Sequence, residues 1–203
     1  MFFYVPLYRK QAYVSSKFSK RCYNIKILAL DQARNGAWSI FDATNKALLA
    51  HGTWSFPVKK FDFSRAVYEI TRIATDLVQS NNIDVVFIED TQLRQNAQSF
   101  KKLAQLQGAL INLFEGLGVQ YESVPPTRWQ SYCGARGRSF KEQKSNAMDI
   151  PSPGPKASKL LSMQFVYTQF GIETDNDNLA DAIAIGWYAV NHIKNEKELP
   201  CKT

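Results

Sequence analysis

The segment Ile25-Lys26-Ile27-Leu28-Ala29-Leu30-Asp31 decides how this chain is read. It is a short, almost wholly apolar run that ends on an acid, and residues 83–88, followed by Glu89, repeat the layout. Runs this short, with apolar residues on both faces, predict central and parallel strands, because a strand with one wet face would alternate. In an open parallel sheet, ligands bind at the C-terminal ends of the strands. If the two strands are neighbours, Asp31 and Glu89 meet at that edge. Two carboxylates so placed repel each other and raise one pKa unless a divalent cation neutralises them. A lone acid after a strand is usually a turn former or a helix cap, but a turn needs no matching partner on another strand.

Working outward, residues 38–41 and 47–54 read as two further strands joined by the turn-like Asp42-Ala43-Thr44-Asn45. Residues 63–79 carry Ala66, Val67, Ile70, Ile73, Ala74, Leu77 and Val78 at helical spacing, with Asn81-Asn82 as a stop. A second helix is predicted over 98–117, with Leu103, Leu106, Leu110, Leu113 and Phe114 on one side and Gly116 and Gly118 as stop signals. Residues 119–124 give a strand closed by Pro125-Pro126, and a polar, basic stretch covers 128–144. Pro151, Pro153 and Pro155 mark a loop before helices over 156–170 and 178–192. The order is β-β-β-α-β-α-β-α-α, an α/β fold.

At 203 residues, 45% apolar and 13% aromatic, the chain suits one ordinary domain. Lys and Arg total 25 against 18 acids, a formal charge of +7, which favours a polyanionic partner without identifying one. The three cysteines, Cys22, Cys133 and Cys201, lie far apart, which excludes a zinc ribbon and fits a reducing compartment. His51 and His192 stand outside any metal-binding histidine pattern, so a metal here would need carboxylates. No stretch approaches the roughly 20 continuous apolar residues of a membrane span, so no membrane partner is expected.

The third acid lies in Thr174-Asp175-Asn176-Asp177-Asn178-Leu179-Ala180-Asp181. On the helix opening here, Asp177, Asn178 and Asp181 share one face, being three and four residues apart. The plain reading is capping, with Asp177 or Asn178 as N-cap and Asp181 favoured by the helix dipole. Against it stands the rest of the helix, apolar nearly all round and therefore buried, which sets its acidic start against the sheet. Asp31, Glu89 and Asp181 then form an oxygen donor set suited to Mg²⁺. Two such ions about 4 Å apart serve phosphodiester hydrolysis without a side-chain nucleophile.

The segments Ile27-Leu28-Ala29-Leu30-Asp31, Phe87-Ile88-Glu89, Asn96-Ala97 leading to Gln107-Gly108, and Ala180-Asp181-Ala182 resemble the RuvC-type Holliday junction resolvases of the RNase H-like superfamily, particularly the small phage versions. The resemblance spans roughly residues 26–188. It implies an RNase H-like fold, a mixed central sheet with helices on both faces, in a homodimer that cuts branched DNA with Mg²⁺, or with Mn²⁺ in its place, two ions per site. Asp31, Glu89 and Asp181 are then the metal ligands and catalytic acids, with Asp31 shared between the ions. The family places Asp or His three residues before the last acid; here Asn178 stands there with Asp177 beside it, and either completes the second site. Gln92, three residues after Glu89, stands where cellular bacterial members carry an aromatic that stacks at the crossover, which puts strict junction selectivity in doubt and leaves flaps and forks as further substrates. The alternative class is a junction-binding protein without useful catalysis. A sugar-kinase or actin-like ATPase is disfavoured, because residues 32–36 contain one glycine and no phosphate-cradling loop.

DNA contacts are expected from Arg94, Arg128, Arg136, Arg138, Lys141 and Lys144, joined by Gln92. Such residues position a duplex without reading its sequence, and Gly134-Ala135-Arg136-Gly137-Arg138 lets the backbone approach phosphate closely. Core packing, rather than stacking on bases, is the favoured role of Trp129 and Tyr132. The stripe 103–114 reads as core on periodicity; the resemblance places part of that helix at the two-fold axis. Residues 24–195 form the expected nuclease domain, 196–203 a tail, and 1–23 a basic extension with Arg9, Lys10, Lys17, Lys20, Arg21 and no acid. That extension reads as an arm touching nucleic acid, an organelle-targeting presequence, or the product of an assigned start site. The cytoplasm, a host's if the chain is phage-encoded, is the expected location, with organelle targeting the weaker reading.

Overall fold

The computed structural model describes residues 24–92, 96–136 and 155–193. Its five strands are β1 (Lys26–Asp31), β2 (Asn35–Asp42), β3 (Ala47–Ser55), β4 (Val85–Glu89) and β5 (Gln120–Val124), in the spatial order β3-β2-β1-β4-β5. β1 pairs antiparallel with β2 and β2 with β3, whereas β1–β4 and β4–β5 are parallel. The two apolar runs are therefore the adjacent, interior strands that their two-sided hydrophobicity demands.

Alternation along these strands divides the core in two. Leu28, Leu30, Val86 and Ile88 face α1 (Phe63–Asn81) and α2 (Ala97–Leu117), meeting Ile70, Ala74, Leu106, Leu110 and Phe114. On the opposite face, Ile27, Ala29 and Phe87 pack with residues of α3 (Pro126–Tyr132), α4 (Pro155–Phe170) and α5 (Asp177–His192), among them Trp129, Val166 and Ile183. Helices thus cover both faces of the mixed sheet, as expected. Local chemistry fixes their ends. Asp62 caps α1 by accepting from the Arg65 N–H, Asn96 caps α2 by accepting from Gln98 and Ser99, and Gly118 closes α2 at φ 64°, a left-handed conformation that glycine adopts without strain. Gly116 lies within α2 rather than ending it.

Three expectations change. The basic stretch opens with a helix, α3, which has Pro126 in its first turn where the missing N–H costs nothing. Pro155 likewise begins α4 instead of belonging to the preceding loop. The cap of α5 is Asn176, whose side chain accepts from the Leu179 N–H, so Asp177 and Asn178 are helical residues and not caps. The extension 1–23, the tail 196–203 and the loop prolines Pro151 and Pro153 lie outside the described residues. Among the described residues no helix is long and apolar enough to cross a membrane.

Candidate active site

The parallel register pairs Leu30 with Ile88, so the next residue on each strand, Asp31 and Glu89, falls at the same sheet edge. Asp31 is buried, at 7% exposure. α5 brings the third acid. It lies directly on β1 and β2, close enough that the Ser39 hydroxyl donates to the Ala182 carbonyl at 2.8 Å. Gly186 makes that approach possible, since a β-carbon there would stand 2.4 Å from the Phe41 ring. Asp181, one residue before Ala182, is thereby carried to the C-terminal edge of the parallel strands.

The electrostatics record this convergence. Burial, then the charges of Glu89 and Asp181, hold the Asp31 carboxyl well above the usual carboxylate range, with Lys159 of α4 opposing the rise. Burial pushes Asp181 up to about 6 despite Ser162 and Lys159 beside it. Among the described residues, two buried side-chain polar atoms have no hydrogen-bond partner: Oδ1 of Asp181 and Oε1 of Gln32, the residue next to Asp31. Both are acceptors. An unpartnered buried acceptor costs roughly 1–3 kcal/mol, which a cation or a proton donor placed against it would recover.

Glu89 is held from two sides. The Gln32 side-chain amide donates to its backbone carbonyl at 2.7 Å, tying β4 to the end of β1, and the Trp129 indole N–H donates to its Oε1 at 3.0 Å. Just beyond it, buried Gln107 gathers the chain. Its Oε1 accepts from the Thr91 hydroxyl at 2.6 Å, and its Nε2 donates to Asp90 and Ser123 at 3.3 and 3.2 Å. Exposed Gln92 follows this braced segment. Asp177 forms an ion pair with Lys159, while Asn178 stands one turn before Asp181 on α5. Arg128 and Arg136 are exposed on and after α3, whereas Arg94, Arg138, Lys141 and Lys144 lie outside the described residues. Trp129 is fully buried and cannot stack on a base; Tyr132 is 45% exposed, edge-on to Tyr188 and His192.

The donor set suits a hard cation: carboxylate and amide oxygens, two of them buried and unpartnered. Among the described residues, however, no three His, Cys, Asp or Glu side chains converge closely enough to hold an ion. Sequence reading missed Gln32, Trp129, Lys159 and Ser162 as parts of this site. Gln32 carried a signal, a polar residue ending a buried run; the others act across the fold and leave none.

Two adjacent parallel strands that each end on an acid, with a third acid on the helix laid across a mixed β3-β2-β1-β4-β5 sheet, give the chain an RNase H-like fold. No protein-family model matches the chain. It is 28% identical over 121 residues to the crossover junction endodeoxyribonuclease RuvC of Sulfurovum sp. (strain NBC37-1), covering 59% of this chain and 76% of that one. Among solved structures, Thermus thermophilus RuvC superposes with a TM-score of 0.60 at 14% identity, over 81% of this chain and 92% of that one. The T. thermophilus RuvC complex with a Holliday junction substrate gives 0.56 at 13% identity, over 81% and 91%. In sequence and in fold the chain is similar to RuvC.

Proposed function

We propose that this chain is a metal-dependent, structure-specific endodeoxyribonuclease that cuts four-way junctions and related branched DNA as a homodimer. Its likeness to a crossover junction endodeoxyribonuclease supports the class of activity. What carries the finer reading is the buried, partnerless Oδ1 of Asp181 beside the mutually repelling Asp31 and Glu89. Asp31, Glu89 and Asp181 would hold divalent cations, Mg²⁺ or Mn²⁺. Asn178 would complete the set as a neutral oxygen donor, since Asp177 is engaged by Lys159. Bound there, such ions would supply activation of a water and stabilisation of the leaving oxygen of a phosphodiester. The chain's own part is placement. β1 and β4 deliver two acids to one edge, Gly186 lets α5 bring the third, and Lys159 offsets the charge they accumulate. Arg128 and Arg136, exposed on and after α3, would meet phosphates.

A synthetic four-way junction, a flap and a linear duplex, each incubated with Mg²⁺, Mn²⁺ or EDTA, test this reading. Paired nicks on opposing junction strands are expected, absent in EDTA and reduced roughly 10³-fold or more by Asp31→Asn. Cutting retained by Asp31→Asn rejects the site. Tight junction binding with no cutting under either metal makes the chain a binding module, the reading that neutral Asn178 favours.

A further inference from the structure

We propose that Trp129 is a positioning residue for Glu89, its indole N–H holding one carboxylate oxygen so that the acid meets a cation in a single orientation. The inference rests on the nuclease reading above and extends it to a residue on neither the strands nor the helix that carry the acids. A buried indole N–H requires an acceptor, and a backbone carbonyl ordinarily serves. Trp54 does so, donating to the Ala33 carbonyl at 2.8 Å. Trp129, at 0% exposure, instead spends its only donor on Glu89 Oε1, 40 positions away in the chain.

The donor itself is fixed. Pro125-Pro126 turns the chain out of β5 into α3, and Trp129 is then buried in the core cluster that also contains Ile27, Phe87, Val124 and Val166. At the far end of α3, the Cys133 thiol meets the Ala184 carbonyl of α5 at 3.6 Å. With Gln32 on its backbone carbonyl, Glu89 is thus braced at main chain and side chain. Without the indole, the carboxylate that Asp31 repels would lose this hydrogen bond and the orientation it sets. Partners that orient metal-binding carboxylates in this way typically contribute about 10–100-fold to metal affinity or activity.

The test uses the full chain with ¹⁵N-labelled indoles. The chain has four tryptophans, and Trp129→Phe assigns the resonance by deleting it while keeping an aromatic ring in the core. In the wild type that resonance is expected to respond to Mg²⁺, and Glu89→Gln should shift it without metal and abolish the Mg²⁺ response. Trp129→Phe should lower junction cleavage about 10–100-fold at limiting Mg²⁺, with partial recovery at high Mg²⁺ and unchanged junction binding in EDTA. An indole indifferent to Glu89→Gln, or wild-type cutting by Trp129→Phe at limiting Mg²⁺, overturns the positioning role and leaves the nuclease reading intact. If the wild type cuts nothing with either metal, the nuclease reading fails. A Trp129 resonance that still answers to Mg²⁺ through Glu89 would then sustain the positioning role alone, and a silent one overturns both. If Trp129→Phe does not fold, Phe substitutions at Trp38, Trp54 and Trp187 assign the Trp129 resonance by elimination, and its behaviour in wild type and Glu89→Gln decides the matter.

Discussion

Asp181 keeps one carboxyl oxygen buried and unpartnered, and burial pushes its pKa up to about 6. An acid whose pKa is higher in the folded chain than in the unfolded one binds more proton when folded. The metal-free protein is therefore most favoured below the ordinary carboxylate value of 3.8, and loses that advantage as pH rises to about 6. The full loss is on the order of 2–3 kcal/mol. Asp31, whose pKa is raised by burial and by Glu89 and Asp181, adds in the same direction. Asp181→Asn removes the charge and keeps the shape. In EDTA at pH 7 the variant should be more stable than the wild type by about 2 kcal/mol, with the gap closing near pH 4. Urea unfolding at several pH values measures this, and equal stability at pH 7 would show that Asp181 carries no buried charge. Adding Mg²⁺ should stabilise the wild type and leave the variant nearly unmoved.

At the scale of elements, α5 is the component whose seating sets the site. A β-carbon on Gly186 would stand 2.4 and 2.6 Å from the Phe41 ring and 2.7 Å from the Ser39 hydroxyl. Gly186→Ala should therefore destabilise the fold by about 2 kcal/mol, roughly 5 °C in Tm, despite alanine's better helix propensity. Gly116→Ala in α2, with nothing within 4 Å, should be neutral or slightly stabilising. Thermal unfolding of both variants checks the pair, and a Gly186→Ala protein as stable as the wild type would mean that α5 can lift from the sheet at no cost. These elements were legible in the sequence to the extent that their signal was periodic. The runs ending at Asp31 and Glu89, the α1 and α2 stripes and the apolar length of α5 each repeat over several residues. α3 has seven residues, two turns at most, and starts at a Pro-Pro pair, so periodicity had nothing to work on. The cap of α5 was misread because Asn176, Asp177 and Asn178 are all competent caps, and only the backbone conformation chooses among them. The contact between Trp129 and Glu89 joins residues whose pairing depends on how β5 hands over to α3, information that no local window contains.

For the whole molecule, the formal charge of +7 becomes functional only if its cations face the acidic edge. Arg128 and Arg136 are exposed on the α3 segment, whose buried Trp129 reaches Glu89; Lys101 and Lys102 are exposed near the start of α2, which follows β4. Each phosphate neutralised by such a side chain releases a counterion, and the logarithm of affinity falls with the logarithm of salt by about 0.9 per contact on duplex arms. Arg128→Ala combined with Arg136→Ala should therefore flatten the salt slope by about 1–2 and weaken binding whatever the base sequence of the junction or duplex, since phosphate contacts carry no sequence information directly. Because neither arginine touches the acids, the cleavage rate at saturating protein should stay within a few-fold of wild type, separating loss of grip from loss of chemistry. Fluorescence-anisotropy titrations over a range of KCl concentrations in EDTA, followed by single-turnover cleavage in Mg²⁺, measure the two quantities. An unchanged slope would remove both arginines from the interface and turn the DNA toward the Lys101 and Lys102 side of the edge.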